Sequence, residues 1–205
     1  MRRLSRDEAV DALRRGLVVA VPTDTVYGVG ARLDDASAVA RLFSVKSRPT
    51  DVALPVIVSS LDQVARLDVA WSEDAQRLAE RFWPGALTIV VGADPDLAAK
   101  VGARSTLGIR LAAHPVLGSI IDECGPLAVT SANEHGRPPC TSADDVLATA
   151  WAAPVAGVID AGVCDGVVSS VVELTGDGWR LRRAGALSAA ELAAVLGPES
   201  ATRDH

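Results

Sequence analysis

The apolar positions of this chain alternate between two spacings. Val10, Leu13 and Leu17 recur at near-helical intervals behind Ser5-Arg6-Asp7-Glu8, a capping box, so a helix is predicted there that stops at Gly16. Leu17-Val18-Val19-Ala20-Val21 is β-branched and bounded by Pro22, which predicts a buried strand. A polar loop, Thr23 to Gly30, follows. Ser37, Val39, Leu42 and Phe43 mark an amphipathic helix running into Lys46, and Leu54 to Val58 reads as a second strand. Ser60 with Gln63 opens one further helix. Ser72 with Glu73 and Asp74 opens another, ended by Trp83-Pro84-Gly85.

Beyond that break, strands are predicted at Ala86 to Val91, Leu107 to Leu111, Leu127 to Thr130, Val155 to Asp160, Val167 to Leu174 and Trp179 to Arg182. Helices are predicted at Pro115 to Glu123, Ser142 to Ala150 and Ser188 to Leu196. Interleaved helices and strands imply a single-domain α/β fold, a twisted open sheet with helices on its faces. The close spacing of the late strands makes that sheet mixed. Gly136 to Cys140 has linker composition, but similar elements flank it. One domain over 1–197 is therefore expected, with 198–205 a frayed tail.

Composition narrows the class. With 205 residues, 49% hydrophobic and 22% charged, the chain is globular rather than disordered. At this mass, folding hides roughly 70% of the extended chain's surface, enough for a core without disulfides or a structural metal. Aromatics are only 3%, so that core is built from Ala, Val, Leu and Ile. Leu17 to Val21 is far too short to span a bilayer, and Asp7, Glu8 and Asp11 break any export signal after Arg2 and Arg3. A cytoplasmic protein with no membrane partner is expected. The balance of 20 basic and 26 acidic residues, net −6, argues against indiscriminate nucleic-acid binding. Cys124, Cys140 and Cys164 are widely spaced and form no zinc pattern, so buried or incidental thiols and no metal site are expected.

The candidate chemistry sits at predicted strand ends. Pro22-Thr23-Asp24-Thr25-Val26-Tyr27-Gly28-Val29-Gly30 follows a buried strand, where open α/β sheets place ligands. Gly28-Val29-Gly30 begins a dinucleotide fingerprint, but Leu33 replaces the third Gly, and no phosphate loop of the Gly-x-x-x-x-Gly-Lys kind occurs. Either these hydroxyls and the carboxylate serve their own backbone turn, or they face a ligand. Arg41, Lys46 and Arg48 put three cations within eight residues, and Lys46 is one of only two lysines. They form a phosphate clamp or a solvated helix end. Thr130-Ser131-Ala132-Asn133 holds a phosphate or ribose, or merely caps a helix. Arg110 interrupts an apolar strand and must meet a carboxylate of the protein or of a ligand. Arg180, Arg182 and Arg183 form a second cationic cluster. There is no Gly-x-Ser-x-Gly elbow, and no motif gives His135 an acid partner. Such a site aligns an anionic nucleotide with an amino-acid-like partner and works by electrostatics.

Seven segments in order, Pro22 to Gly30, Lys46-Ser47-Arg48-Pro49, Trp83 to Thr88, Thr106 to Arg110, Thr130 to Asn133, Ser169 to Leu174 and Arg183 to Ala186, resemble the YrdC-like family of threonylcarbamoyl-AMP synthases. The resemblance runs from about Leu13 to Leu187. It implies a twisted mixed sheet with a deep cationic cleft. It also implies a nucleotidyltransferase reaction in which L-threonine, bicarbonate and ATP give L-threonylcarbamoyl-AMP and pyrophosphate, for threonylcarbamoyladenosine in tRNA. By motif position, Thr25, Arg110 and Ser169 would hold threonine. Lys46, Arg48, Thr106, Ser131, Asn133, Thr141 and Arg183 would hold ATP. Lys46 and Arg48 would act electrostatically, Mg²⁺ would ride on the phosphates, and no covalent nucleophile is needed. Implied partners are downstream tRNA-modification transferase proteins, with weak tRNA contact. Ala184, Ser170 and Glu173 depart mildly from the family's Pro, Thr and Asp. The chain is expected to end soon after the family domain, without the extra C-terminal domain of longer members. Two other readings of the same fold remain open at this stage: an RNA-binding module without chemistry, and a carbamoyl-transfer enzyme.

Overall fold

The computed structural model describes residues 1–46, 53–134, 137–176 and 178–200. Among them the element order is β1 (Arg3–Leu4), α1 (Arg6–Arg14), β2 (Val19–Val21), β3 (Gly28–Arg32), α2 (Ala36–Val45), β4 (Val56–Val58), α3 (Leu61–Ala65) and α4 (Glu73–Phe82). It continues with β5 (Leu87–Gly92), α5 (Pro95–Lys100), β6 (Thr106–Leu111), α6 (Pro115–Cys124) and β7 (Leu127–Ser131). The chain closes with α7 (Ala143–Ala148), β8 (Val158–Ile159), β9 (Ser170–Glu173), β10 (Arg180–Arg183) and α8 (Ala189–Leu196). Side-chain caps start the helices. Ser5 with Glu8, Ser142 with Asp145 and Ser188 with Glu191 close full capping boxes, while Ser60 and Ser72 each accept the N–H three residues on.

The strands form one ten-stranded sheet in the order β1-β8-β2-β3-β7-β4-β6-β5-β9-β10. Pairs β1/β8, β2/β8, β4/β6 and β5/β9 are parallel and the rest antiparallel, so the sheet is mixed as expected. Alternation along each strand divides the core between its two faces. Ala20, Val56, Ile109 and Ala128 belong to one apolar cluster, with residues of α2, α4, α7 and α8. Val19, Val21, Ile57, Leu127 and Val129 face the other way, against Leu13 of α1 and Leu117, Ile120 and Ile121 of α6. The α1–α6 layer covers only one end of that second face. Over β5, β6 and β9 the same face is open.

Three expectations need correction. The loop Thr23 to Gly30 is shorter than read, because Gly28–Gly30 belong to β3. A Cβ on Gly28 would lie 2.6 Å from Val129 Cγ1, so the glycines admit β7 at close range instead of loosening a loop. The strands read as Val155 to Asp160 and Val167 to Leu174 shrink to β8 and β9; before β9, Val168 O accepts from Ala186 N at 3.0 Å, in the turn beyond β10. Finally, β1 and α5 appear where no element was read. Helix α5 is short, with one buried residue, Ala98, and is held by its Asp94 cap and Pro95. Residues 201–205 of the tail, and Gly136 of the linker-like stretch, lie outside the described residues. Among the described residues no helix is long and apolar enough to cross a membrane.

Candidate active site

The open part of the second sheet face is the floor of a cleft of about 400 Å³. Register dictates its lining. Ile57 of β4 pairs with Arg110 of β6, so the two share a face, and Thr106 and Gly108 follow on that face by alternation. Thr88 and Val90 of β5, Val129 and Ser131 of β7, and Ser169 and Val171 beside them complete the floor. A bulge in β10 brings in two successive arginines. Leu181 pairs with Val172 and Arg183 with Val171, so Arg182 is the extra residue, and both Arg182 and Arg183 line the cleft.

Arg110 is 6% exposed and is the one buried charged residue among the described residues. Its Nη2 donates to Asp24 Oδ1 at 2.6 Å, its Nη1 to Thr25 Oγ1 at 3.0 Å and its Nε to Gly85 O at 3.0 Å. Three of the five guanidinium hydrogens are thereby used, which leaves one on each terminal nitrogen. Burial lowers the Arg110 pKa from its ordinary value, against the opposing pull of Asp24. Of the sequence alternatives, a carboxylate of the protein or one of a ligand, the structure shows the first: Arg110 pairs with Asp24, and it does so while lining the cavity.

Within the loop before β3, Thr23 serves its own turn. Its Oγ1 accepts from Thr25 N and Val26 N at 3.1 Å each and donates to Val26 O at 2.7 Å. Thr25 Oγ1 lies 2.9 Å from Thr23 Oγ1, to which it donates, and accepts from Arg110 Nη1. Tyr27, fully buried, donates from its phenol to Gly162 O at 2.8 Å and accepts from Ala161 N, which ties the irregular 160–169 stretch to the cleft wall. Burial raises the pKa of that phenol.

The nucleotide candidates come together in part. Lys46 Nζ donates to Ser131 O at 2.9 Å, to Asn133 Oδ1 at 3.1 Å and to Asn133 O, while Ser131 Oγ donates to Asn133 Oδ1 at 2.6 Å. The end of α2 is thus fastened to the end of β7. Arg48, with Ser47 and Pro49 of its motif, lies outside the described residues, as does His135. Thr106 lines the cleft, whereas Thr141 lies apart from the lining, donating its hydroxyl to Asp145 at 3.2 Å. The hydrogen bond from the Thr141 backbone and those from Ser142 hold the Asp145 carboxyl below its usual range. Arg183 is exposed as a residue, yet its Nη2 reaches Ser169 Oγ at 2.9 Å and its Nε reaches Ser169 O at 3.0 Å. Burial of that end and the charge of Arg110 lower its pKa. Arg182 pairs with Glu173, and Arg180 stands on the same strand.

Sequence reasoning did not single out Asp24 as Arg110's partner, nor Gly85 and Thr88. Asp24 was visible as the one carboxylate of the loop. Thr88 hides in a β-branched run, and only the register shows that it faces the cleft. The three cysteines are free, with Cys124 and Cys140 buried and Cys164 half-buried. No cluster of three or more metal-ligating side chains occurs among the described residues.

Together these features define an α/β protein with an open mixed sheet, whose uncovered face forms an arginine-bearing cleft with a largely apolar lining. A family model, Sua5/YciO/YrdC, described as telomere recombination, matches residues 11–185. The chain belongs to this family. A Mycobacterium tuberculosis (strain H37Rv) relative is 40% identical over 196 residues, covering 95% of this chain and 90% of that protein. The threonylcarbamoyl-AMP synthase of Bacillus subtilis is 38% identical over 195 residues, 93% of this chain and 56% of that one. Among solved structures, Pyrococcus abyssi Sua5 complexed with L-threonine superposes with a TM-score of 0.88 at 35% identity, covering 97% of this chain and 60% of its own. The chain therefore spans little more than half the length of these last two proteins.

Proposed function

We propose that this chain is a threonylcarbamoyl-AMP synthase, which converts L-threonine, bicarbonate and ATP into L-threonylcarbamoyl-AMP, pyrophosphate and water. The product supplies the threonylcarbamoyl group for modified adenosine in tRNA, through transferase proteins that act after it. The observation that carries the reading is Arg110: a buried cation on the open sheet face, with one unspent N–H on each terminal nitrogen. A substrate carboxylate completes that fork. Thr25 and Ser169 flank it and hold the rest of the amino acid.

The nucleotide, entering as its magnesium complex, is held by Lys46, Arg48, Thr106, Ser131, Asn133, Thr141 and Arg183. The threonine amine takes up CO₂ derived from bicarbonate and releases a proton. A carbamate oxygen then bonds to the α-phosphorus as the bond to pyrophosphate breaks. Alignment of two anions and neutralisation of the growing phosphate charge are what this chemistry asks of a protein. Arg110, Arg182 and Arg183 line the cleft, and Lys46 and Arg48 would add positive charge without becoming bonded to substrate. The reading predicts pyrophosphate release that requires threonine, bicarbonate and ATP together. Release that persists without threonine, or none with all three present, overturns it.

A further inference from the structure

The segment Trp83 to Thr88 reaches both sides of the amino-acid pocket, yet the reading above gives it no part. Gly85 O receives Arg110 Nε, and Thr88 Oγ1 lies 3.1 Å from Ser169 Oγ. Thr88 is 4% exposed, as is Ser169, and both line the cleft. The antiparallel register that pairs Ile89 with Ile109 and Val90 with Gly108 sets Thr88 beside Arg110 on the same sheet face. A Cβ on Gly108 would lie 3.3 Å from Thr88 Cγ2, so the methyl of Thr88 packs over this glycine and its hydroxyl is turned toward Ser169.

The two hydroxyls own two hydrogens and four lone pairs. Their mutual bond uses one hydrogen and one lone pair, and Arg183 Nη2 takes a lone pair of Ser169. One hydrogen and two lone pairs are left, in a buried site next to Arg110. Because the mutual bond can run in either direction, the pair can offer that hydrogen from Thr88 or from Ser169. It therefore satisfies a ligand group that donates and accepts through one and the same atom, which among amino-acid side chains means a hydroxyl or, weakly, a thiol.

Resting on the synthase reading, we propose that Thr88 is a further specificity-determining residue. It forms with Ser169 the hydroxyl pair that reads the β-hydroxyl of the amino-acid substrate. An amino acid with a methyl in place of that hydroxyl strands the unspent hydrogen in a buried site, and pockets built this way reject such analogues strongly.

The test compares kcat/KM for L-threonine with that for L-valine, its isostere, in wild type, Thr88→Val and Thr88→Ser, by pyrophosphate release. Thr88→Val keeps the volume and removes the hydroxyl. It is expected to lower kcat/KM for threonine by about tenfold or more while valine and the KM for ATP stay near wild type, so that discrimination collapses. Thr88→Ser restores it. If Thr88→Val lowers both amino acids equally, or leaves the threonine-to-valine ratio unchanged, the proposal is wrong. Thr88→Ala, judged by the same ratio, takes over should the valine variant not be recovered folded. A wild type without threonine-dependent turnover instead sinks the synthase reading itself, which keeps the two failures apart.

Discussion

At the residue scale the decisive charge is Arg110. Its ion pair with Asp24 is shielded on both sides, the side chains being 8% and 16% exposed. Removing the cation strands a carboxylate, so Arg110→Ala is expected to cost about 3–5 kcal/mol of stability. Arg110→Lys keeps the charge but not the fork: an ammonium cannot span Gly85 O, Thr25 Oγ1, Asp24 and a ligand carboxylate together. Loss of one charge-assisted hydrogen bond, about 1.5–3 kcal/mol, corresponds to roughly a ten- to hundredfold rise in the threonine requirement. ATP affinity should hardly change. Thermal melts and threonine titrations of both variants check this. Threonine binding that survives unchanged in folded Arg110→Lys would remove Arg110 from the substrate site and leave it purely structural.

At the element scale, one short piece of backbone shapes the site and a second caps a helix of the covered face. The turn after β10 is clamped onto β9: Ser170 Oγ accepts from Gly185 N and Leu187 N and donates to Leu187 O. A Cβ on Gly185 would come within 2.3 Å of Val168 O and 2.5 Å of Ser169 C, and backbone cannot yield as a flexible side chain does. Gly185→Ala is therefore expected to lose about 1–3 kcal/mol and to displace Ser169 from Arg183, raising the threonine KM even in the folded fraction. A variant with wild-type melting and wild-type KM contradicts the clamp. The second piece is the start of α6, capped by His114, whose Nδ1 accepts from Leu117 N. Burial pushes the pKa of His114 below the ordinary histidine value, although the charge of Asp24 pulls the other way. As pH falls below about 6.5, the unfolded chain takes up the proton first. The stability contributed by the neutral cap is thus complete above that pH and lost as pH drops through the lower folded value. Asn caps equally well without titrating, so His114→Asn should lose less melting temperature than wild type between pH 7 and pH 5. Equal losses would show that the cap does not titrate.

At the scale of the whole molecule, the cleft joins distant parts of the chain. Thr25, Arg110 and Ser169 stand on separate segments, and the sheet order sets β3, β7, β4, β6, β5 and β9, drawn from across the chain, side by side. No contiguous fragment holds the site, so ligand binding must stabilise the fold globally. L-threonine at about a hundred times its Kd is expected to add about 2.7 kcal/mol. Hydrogen exchange should slow together in residues 23–28, 106–111 and 168–171. Protection confined to one of these segments would contradict a shared site. The net charge of −6 and the arginines of the cleft also coexist at this scale. Carboxylates elsewhere pair with surface arginines, as Glu123 does with Arg6 and Arg14, while Arg110, itself paired with Asp24, and Arg183 line the cleft.

Local sequence was enough for most helix starts, since Ser5, Ser60, Ser72, Ser142 and Ser188 announce their caps within three residues, and for the apolar strands of the mixed sheet. It was also enough to mark Arg110 as a cation in need of a partner, because a charge in an apolar strand is costly wherever that strand lies. Local sequence could not tell that Gly28 and Gly30 are strand residues, since their lack of side chains has meaning only against Val129. Nor could it show that Asp24 is Arg110's partner, that Lys46 reaches Ser131 and Asn133, or that Thr88 faces Ser169. Each of these pairings joins residues far apart in the chain, and register alone decides which side of a strand meets the cleft. A strand's pattern shows that two faces exist; only the packed sheet, with α1 and α6 covering one end, leaves the other end of a face open to become the site.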